Sequence, residues 1–167
     1  MSKRGFLGLL AAGVAGAAVK GGLSAGEAQA TGTAGKAFPF QLPDAEWKKR
    51  LSPAAYEVLR EHGTERAGTS PLNQEKRPGI FHCAGCDHPL FDAKTKYESG
   101  TGWPSFWDHL PGGIGTSEDR KFFMVRTEVH CANCGGHLGH VFDDGPKPTG
   151  LRYCMNGVAM GFKPAVG

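Results

Sequence analysis

The chain has 167 residues, which is enough for one domain with a hydrophobic core. Its 19 Lys and Arg residues against 16 Asp and Glu residues give a formal net charge of +3, and residues 31–167 alone hold 16 basic and 15 acidic residues. A domain this close to neutral gives no electrostatic reason to expect a nucleic-acid partner. The 26 glycines and 11 prolines favour short strands and many turns over a helical bundle.

Residues 1–30 have the layout of an export signal. Lys3 and Arg4 are followed by an uncharged, mostly apolar run at 6–19, too short to span a bilayer, and AQA at 28–30 fits the small-x-small cleavage rule. SKRGFL resembles a twin-arginine signal with Lys in place of the first Arg, although an ordinary secretion signal or an uncleaved anchor has a similar pattern. We therefore predict export to a bacterial periplasm, with no stable membrane association after signal removal.

The next part of the chain is predicted to lead into one domain. Residues 31–43 contain Gly and Pro without periodicity, so we expect a linker or an extended arm there, followed by a domain at 44–165. The first element of that domain is a short helix over DAEWKKRL, with Asp44 as its cap.

A second helix is predicted over SPAAYEVLREHG. Ser52 can cap it, Pro53 suits the first helical position and Gly63 would end it. Its buried face is predicted to consist of Tyr56, Val58 and Leu59.

After the helices, the sequence alternates between strand-like runs and turns. GIFHCAGC, HPLFDAKTKYES, HLGHVFDDGP and LRYCMNGVAMGF are such runs, and KFFMVRTEVHC is the longest candidate, with Phe123, Val125, Thr127 and Val129 on one face. These patterns predict a mainly β fold, an antiparallel and partly barrel-like domain with one or two N-terminal helices packed on it.

Two Cys-x-x-Cys pairs, Cys83 with Cys86 and Cys131 with Cys134, supply four thiolates. This set fits one tetrahedral zinc ion with no open coordination position, so we predict a structural zinc that clips two distant hairpins together. The glycines expected at positive φ in the two turns are Gly85, Gly135 and Gly136. Iron in the same site, an iron–sulfur cluster or disulfides are the alternatives, although bonds within Cys-x-x-Cys turns would constrain little.

Cys154 is the fifth cysteine and stands outside both pairs. Free Cys is among the most buried residue types, so a core position is the simplest alternative. On a strand, however, Arg152 and Asn156 would share the face of Cys154, and a guanidinium beside the sulfur would favour the thiolate. Cys154 is therefore a candidate nucleophile.

Histidines and aromatic residues are further candidates for the site. His137 and His140 are expected to give hydrogen bonds or protons near a reacting oxygen, although they could also ligate a metal. Trp103, Phe106 and Trp107 lie in the Gly- and Pro-rich run SGTGWPSFWD. These rings either pack on the core or form an aromatic pocket that holds a methyl group.

The motifs SGTGWPSF, HLGHVFDDGP and LRYCMNG, together with the two Cys-x-x-Cys pairs, resemble the methionine sulfoxide reductase B family in order and over roughly residues 44–163. The resemblance implies two antiparallel sheets with flanking helices. It also implies reduction of the R epimer of methionine sulfoxide, in oxidised proteins or as the free amino acid, which repairs oxidative damage.

The resemblance also implies roles for the candidate residues. The substrate methyl would lie against Trp103, helped by Phe106, while the Cys154 thiolate attacks the sulfoxide sulfur and becomes a sulfenic acid. His137 or His140 would protonate and hold the leaving oxygen.

Supporting residues and two departures from the family pattern complete the expected site. Arg152 and Asn156 would organise the thiolate, and Asp144 would either orient a histidine or only form the DDG turn. Thr101 stands where many members carry a resolving cysteine, which predicts a one-cysteine cycle regenerated by a thioredoxin-like or other external thiol. Gly157 stands where Ser is common, and we expect it to alter hydrogen bonding without abolishing the chemistry.

Two other classes of function remain open from the residues. A zinc module that binds a protein partner through Trp103 and Trp107 would explain the metal but not Cys154 and its neighbours. A thiol peroxidase or thiol–disulfide enzyme would explain Cys154 but not the aromatic loop. Replacing Cys154 by Ser separates the classes, because binding would survive the change and catalysis would not.

Overall fold

The computed structural model describes residues 37–121 and 124–166. The predicted export signal at 1–30, the first part of the predicted linker and Phe123 lie outside these residues, so the interpretations that involve them stay predictions. Within the described ranges, no helix has both the length and the apolar character needed to cross a bilayer.

The described part of the predicted linker, residues 37–43, contacts the domain. The Phe40 N–H donates to the Asn133 carbonyl at 2.9 Å, and the Phe38 ring lies 5.4 Å from the ring of His130. These residues therefore lie against the domain near the second cysteine turn.

Helix α1 spans Asp44–Arg50, and its predicted cap is wrong. Pro43 occupies the N-cap position and Asp44 is the first helical residue, without a side-chain capping bond. The Asp44 carboxylate instead pairs with Lys48 at 2.7 Å and accepts a hydrogen bond from the Tyr56 hydroxyl. An acidic residue in the first turn still complements the helix dipole.

Helix α2 spans Pro53–Glu61 and begins as predicted, with Ser52 Oγ accepting from the Ala55 N–H at 3.2 Å. The residue that ends it is His62 and not the predicted Gly63, because the C-cap His62 takes the left-handed conformation with φ of 56°. The buried face consists of Ala55, Val58 and Leu59, whereas Tyr56 is half-buried.

Over the residues that the structure describes, nine strands form two antiparallel sheets. Strands β1, β2 and β9 span Gly79–Cys83, Pro89–Asp92 and Met160–Pro164, and form a sheet in the order β2-β1-β9. The other six strands, in chain order, are β3 to β8 at Lys96–Tyr97, Ser105–Phe106, Ile114–Lys121, Met124–Cys131, His137–Phe142 and Arg152–Met155. Their order in the second sheet is β3-β4-β8-β7-β6-β5, with short 3₁₀ turns at Pro71–Gln74, Ala93–Thr95 and Gly157–Ala159.

The mainly β fold with two antiparallel sheets and two helices is confirmed. The sheets form no closed barrel: over the described residues both are open, and β3 and β5 are the edges of the larger one. A barrel would need those two strands to pair with each other.

Strand β5 was not predicted, since GGIGTSEDRK is polar and Gly-rich and resembles a loop. It nevertheless pairs with β6 from Ile114–Cys131 to Lys121–Met124. The predicted apolar face of β6 is only partly buried, because β7 pairs with β6 only between Thr127 and His130. Val129 is buried there, while Val125 is 63% exposed beyond the end of β7.

An aromatic core holds the two sheets together. Phe81 of β1, Phe91 of β2 and Phe106 of β4 are fully buried, with ring centroids 4.9 Å apart for Phe81–Phe106 and 4.3 Å apart for Phe91–Phe106. Each such ring contributes about 2 to 3 kcal/mol when buried. The buried residues of the two helices, including Trp47 and Leu59, belong to the same core.

Candidate active site and metal centre

The four paired cysteines converge in one cluster. Their sulfurs all lie within 4.8 Å of one another, with Sγ–Sγ distances of 3.7 Å for Cys83–Cys134 and 3.6 Å for Cys86–Cys131. A tetrahedron of zinc–sulfur bonds has sulfur–sulfur edges of about 3.8 Å. A disulfide requires about 2.05 Å. The cluster therefore has the dimensions and the soft donor set of a tetrahedral metal site and does not have those of two disulfides.

The two cysteine turns have the same backbone geometry. In the first, the Asp87 N–H donates to the Cys83 carbonyl at 2.8 Å, and in the second the Gly135 N–H donates to the Cys131 carbonyl at 2.9 Å. The donor residues both have positive φ, 61° at Asp87 and 70° at Gly135. Gly135 matches its prediction and Gly136 does not, and in the first turn Asp87 rather than Gly85 takes the left-handed position.

A row of polar side chains crosses the six-stranded sheet. Following the pairing of adjacent strands, the row is Ser105, Cys154, His140, Glu128 and Ser117. Directly paired residues present their side chains on the same face. Five strands therefore bring a thiol, an imidazole and a carboxylate side by side, although these groups are distant in sequence.

His140 pairs with Cys154 across β7 and β8 and is held by Asp119. Its Nε2 lies 2.8 Å from Asp119 Oδ2, so the shared proton is assigned to Nε2 and leaves Nδ1 as an acceptor. Burial lowers the pKa of His140, and the nearby Arg126 adds to this effect, although Asp119 opposes it. The resting imidazole is therefore neutral at pH 7.

A β-bulge brings His137 to the same face as His140. Residues three apart on a regular strand point to opposite faces, but the register of β6 with β7 shifts between Val129 and His130. The rings of His137 and His140 consequently have centroids only 5.3 Å apart.

His137 is buried in a hydrogen-bonded cluster around Glu128. Its Nδ1 lies 2.6 Å from Glu128 Oε1, His62 Nδ1 lies 2.9 Å from the same oxygen, and Ser117 donates to Oε2 at 2.7 Å. Burial opposes ionisation of Glu128, but the bonds from His137 and Ser117 outweigh it and hold the pKa of this carboxyl at about 2. Two histidines and a carboxylate could also ligate a metal, yet hydrogen bonds already account for this grouping.

A pocket of about 130 Å³ opens beside Cys154. Of the predicted site residues, those that line it are Trp103, His140, Cys154 and Asn156. The structure therefore brings together the expected nucleophile, one of the two expected acids and the expected methyl-binding ring. Residues that sequence reasoning missed in the lining include Arg126, Phe142 and Met155.

Glu65 organises this side of the pocket and was not predicted. Its carbonyl accepts from Trp103 Nε1 at 2.9 Å, and its N–H donates to Asn156 Oδ1 at 2.8 Å. Its carboxylate accepts from the N–H groups of Gly157 at 2.6 Å and Val158 at 3.3 Å. The only available sequence signal was its place in the polar loop after α2, which is too general to identify it.

Asn156 is buried and serves as a connector. Besides its bond to the Glu65 N–H, its Nδ2 donates to the Leu138 carbonyl at 3.0 Å, and its backbone N–H reaches the same carbonyl at 2.8 Å. The residue therefore ties the end of β8 to β7 and to the loop after α2.

Arg152 makes a two-bond pair with Asp144. Both nitrogen–oxygen distances are 2.8 Å, and the guanidinium lies 4.4 Å from the Phe142 ring centroid. Asp144 chiefly raises the pKa of Arg152, and Cys154 makes a smaller contribution in the same direction. Asp144 thus orients Arg152 and not a histidine, and Arg152 does not line the pocket.

Phe106 does not line the pocket either. Its ring is fully buried in the core against Phe81 and Phe91, so its expected contact with a substrate is replaced by a packing role. The alternation of β4 explains this placement, because Ser105 points toward Cys154 and the next residue points to the opposite face. Trp107 is half-buried outside the pocket.

Gly157 is buried against Ser70. A Cβ at this position would overlap Ser70 Oγ and would lie 3.3 Å from Glu65 Oε2. In this chain, Ser70 therefore takes the space that a side chain at position 157 would need.

Comparison with known proteins gives a consistent result. A SelR domain matches residues 51–164. The chain is 54% identical over 122 residues to a peptide methionine sulfoxide reductase MsrB of Agrobacterium fabrum, covering 72% of this chain and 90% of that protein. It is 52% identical over 121 residues to an MsrB of Methanosarcina barkeri, covering 72% and 85%.

A plant protein is similar over a comparable length of this chain. Peptide methionine sulfoxide reductase B1, chloroplastic, of Arabidopsis thaliana is 52% identical over 120 residues, which are 71% of this chain and 59% of that protein. The SelR match covers most of the chain, and the fold and the cysteine cluster agree with it. The chain belongs to the SelR-domain family, that of the peptide methionine sulfoxide reductases MsrB.

Proposed function

We propose that this protein reduces the R epimer of methionine sulfoxide in oxidised proteins, and in the free amino acid, to methionine. The observation that carries the proposal is the placement of Cys154 at the pocket, with Trp103 in the lining and with His140 as its paired residue on the adjacent strand β7. A thiol, a proton carrier and an aromatic surface for a methyl group are the three parts that this reaction requires.

In the first half-reaction, the Cys154 sulfur attacks the sulfoxide sulfur. The sulfur–oxygen bond of the substrate breaks and the oxygen ends on the cysteine, so that thiol plus sulfoxide become sulfenic acid plus methionine. The cysteine sulfur loses two electrons and the methionine sulfur gains two. Because oxide is a poor leaving group, the oxygen must be protonated as the bonds change.

The neutral His140 can serve as the carrier of that proton. Its Nε2–H is held by Asp119 and its Nδ1 is an acceptor, so it can take the thiol proton of Cys154 and pass it to the substrate oxygen. His137, hydrogen-bonded to Glu128 behind it, would orient the ring of His140 and hold the oxygen in place.

The second half-reaction needs an external thiol. All five cysteines of the chain are described, and four of them form the metal-type cluster. A thioredoxin-like protein or a small thiol would attack the sulfenic acid and release water, and a second thiol would then release Cys154. This scheme balances as two reductant thiols oxidised to one disulfide per turnover.

The proposed cofactor is one structural zinc ion held by Cys83, Cys86, Cys131 and Cys134. When bound, zinc would act as a crosslink between the two cysteine turns and would take no part in the redox chemistry, because four thiolates complete its shell.

Export to the periplasm is proposed from residues 1–30 alone, and fractionation of cells producing the full chain tests it.

The deciding experiment measures turnover of the two separated epimers of a peptide-like methionine sulfoxide, with dithiothreitol as reductant, for the wild type and Cys154→Ser. We expect consumption of the R epimer only, and none by Cys154→Ser at unchanged metal content. Consumption of the S epimer, or no turnover by a folded, zinc-loaded wild type, contradicts the proposal. A partner protein that binds the wild type and Cys154→Ser equally well would favour the binding-module alternative. Peroxide consumption without sulfoxide turnover would favour a thiol peroxidase.

A further inference from the structure

Three hydroxyl groups form a continuous chain that ends at the Cys154 sulfur. Thr101 Oγ1 lies 3.8 Å from Cys154 Sγ, and Ser99 Oγ lies 2.8 Å from Thr101 Oγ1. Ser105 Oγ lies 2.7 Å from Ser99 Oγ and 3.2 Å from the Trp103 carbonyl oxygen. The proposed reaction has so far given these hydroxyls no part.

The fold holds this chain in place. Ser105 is fully buried and is paired with Cys154 across β4 and β8. Ser99 also accepts from the Thr101 backbone N–H at 3.4 Å, which ties the two residues of this loop together. The neighbouring groups therefore hold the Thr101 hydroxyl near the sulfur, and turning it away would break these hydrogen bonds.

The number of protons in the chain depends on the state of Cys154. The chain has four links, from the sulfur through three hydroxyls to the Trp103 carbonyl, which can only accept. With a thiol, four protons fill the four links, and the S–H donates to Thr101. With a thiolate, three protons remain for the four links. Thr101 then donates to the sulfur, and one hydrogen bond between neutral groups further along the chain is lost. The gained bond is charge-assisted and about twice as strong as the lost one.

We propose that Thr101 is a positioning residue for Cys154: the Thr101 hydroxyl, oriented by Ser99 and Ser105, donates a hydrogen bond to the sulfur and stabilises its thiolate form. Thr101 thereby supports formation of the nucleophile, although it cannot form a disulfide with it as a cysteine at this position could. The inference rests on the proposed function only in treating Cys154 as the nucleophile.

Other charged groups also act on Cys154 and must stay constant in a test. The charged and titratable groups facing it from its own strand and from its neighbours are Arg152, His140, Arg126 and Tyr97. Thr101→Val keeps the size and branching of the side chain and leaves all four in place, so it removes only the hydroxyl. Thr101→Ser keeps the hydroxyl and serves as the matched control.

The experiment measures the rate of Cys154 alkylation by iodoacetamide against pH in the full-length, zinc-loaded protein, with the modified peptide identified by mass spectrometry. We expect Thr101→Val to shift this profile so that the alkylation rate at neutral pH falls about 3- to 10-fold. Thr101→Ser should keep the wild-type profile, and Ser99→Ala should fall between the two.

Either of two results would overturn the inference: an unchanged profile for Thr101→Val, or an equal shift for Thr101→Ser, which would indicate a structural effect. Melting temperature and zinc content check that each variant is folded. Alkylation reports the thiolate whether or not methionine sulfoxide is turned over. A failure of the proposed function therefore appears as absent turnover with the Thr101→Val shift still present, and the two failures are distinguishable.

Discussion

At the scale of single residues, the proposed site consists of groups assigned to the reaction and of residues that hold such groups in place. Cys154, His140 and Trp103 line the pocket. Asp119 holds His140, the backbone carbonyl of Glu65 holds Trp103, and Glu128 holds His137, whose ring lies beside that of His140. The family motifs contain the first three, whereas the three acidic residues come from β5, β6 and the loop after α2.

Trp103 is expected to contribute substrate affinity. Replacing it by Ala removes the aromatic surface next to Cys154, which should lower kcat/KM for the R epimer about 10- to 200-fold, the usual effect of lost apolar contacts in a pocket. Trp107→Ala is the matched control, since Trp107 lies in the same loop but outside the pocket. Steady-state kinetics of both variants is the measurement, and equal losses would contradict the assignment.

Glu128 should make stability depend on acidity. Its pKa of about 2 lies below the ordinary value of 4.5. The contribution of its charge to the free energy of unfolding is therefore fully present above about pH 4.5 and is lost as the pH falls toward 2. Glu128→Gln removes this dependence and should cost about 1 to 3 kcal/mol at pH 7, because buried hydrogen-bonding partners lose a charged acceptor. Urea unfolding of both proteins between pH 7 and pH 3 tests this, and the difference between them should shrink at the acid end.

At the scale of elements, the connections carry as much of the site as the strands do. Helix α2 ends at Glu61, and the left-handed conformation of its C-cap, His62, turns the chain into the loop that contains Glu65. Strand β7 carries both histidines on one face only because of its bulge. The turn after β8 places Asn156 and Gly157 against that same loop.

Gly157 tests how tightly these connections pack. Gly157→Ser should destabilise the protein by about 1 to 3 kcal/mol, because its Cβ overlaps Ser70 Oγ and one of the two must move. Gly161→Ser is the control, since a Cβ there meets no atom within 4 Å. Adding Ser70→Gly to Gly157→Ser should recover part of the loss in denaturant unfolding. No recovery would show that the conflict lies elsewhere.

At the scale of the whole molecule, the cysteine cluster joins the two sheets. Cys83 is the last residue of β1 in the smaller sheet, and Cys131 is the last residue of β6 in the larger one. Cys83 is also paired with Met160 of β9, which follows β8 and Cys154 after one short turn. The cysteine cluster therefore lies at the end of the β1–β9 pair that follows the strand of Cys154, and Cys154 itself is outside the cluster.

Removing one metal ligand should have a large effect on the whole fold. Cys131→Ser is expected to lose the metal and to destabilise the protein by about 4 kcal/mol or more, as the loss of a structural metal does. Cys154→Ser should keep both the metal and the stability, because Cys154 lies outside the cluster. Elemental analysis for zinc and thermal unfolding of the two variants check this. A stable Cys131→Ser protein without metal would contradict the structural role.

The sequence by itself was sufficient for features that depend on residue type and local spacing. The spacing of the two Cys-x-x-Cys pairs was enough to predict that the four cysteines lie together, because four thiolates at that spacing have few other stable arrangements. The start of α2 followed from Ser52 and Pro53, whose effects are local. Cys154 stood out because the other four cysteines were already assigned.

Only the tertiary structure decided the features that depend on pairing between distant strands. β5 has a polar sequence and is a strand because β6 offers it a complete set of backbone partners. Strand register decides three features of the site: the bulge in β7, the pairing of His140 with Cys154 and the burial of Phe106. A shift of the register by one residue would move each of these side chains to the opposite face of the sheet. Glu128, Asp119 and Glu65 could not be identified earlier, since a lone acidic residue shows its role only when the fold supplies the group that it holds.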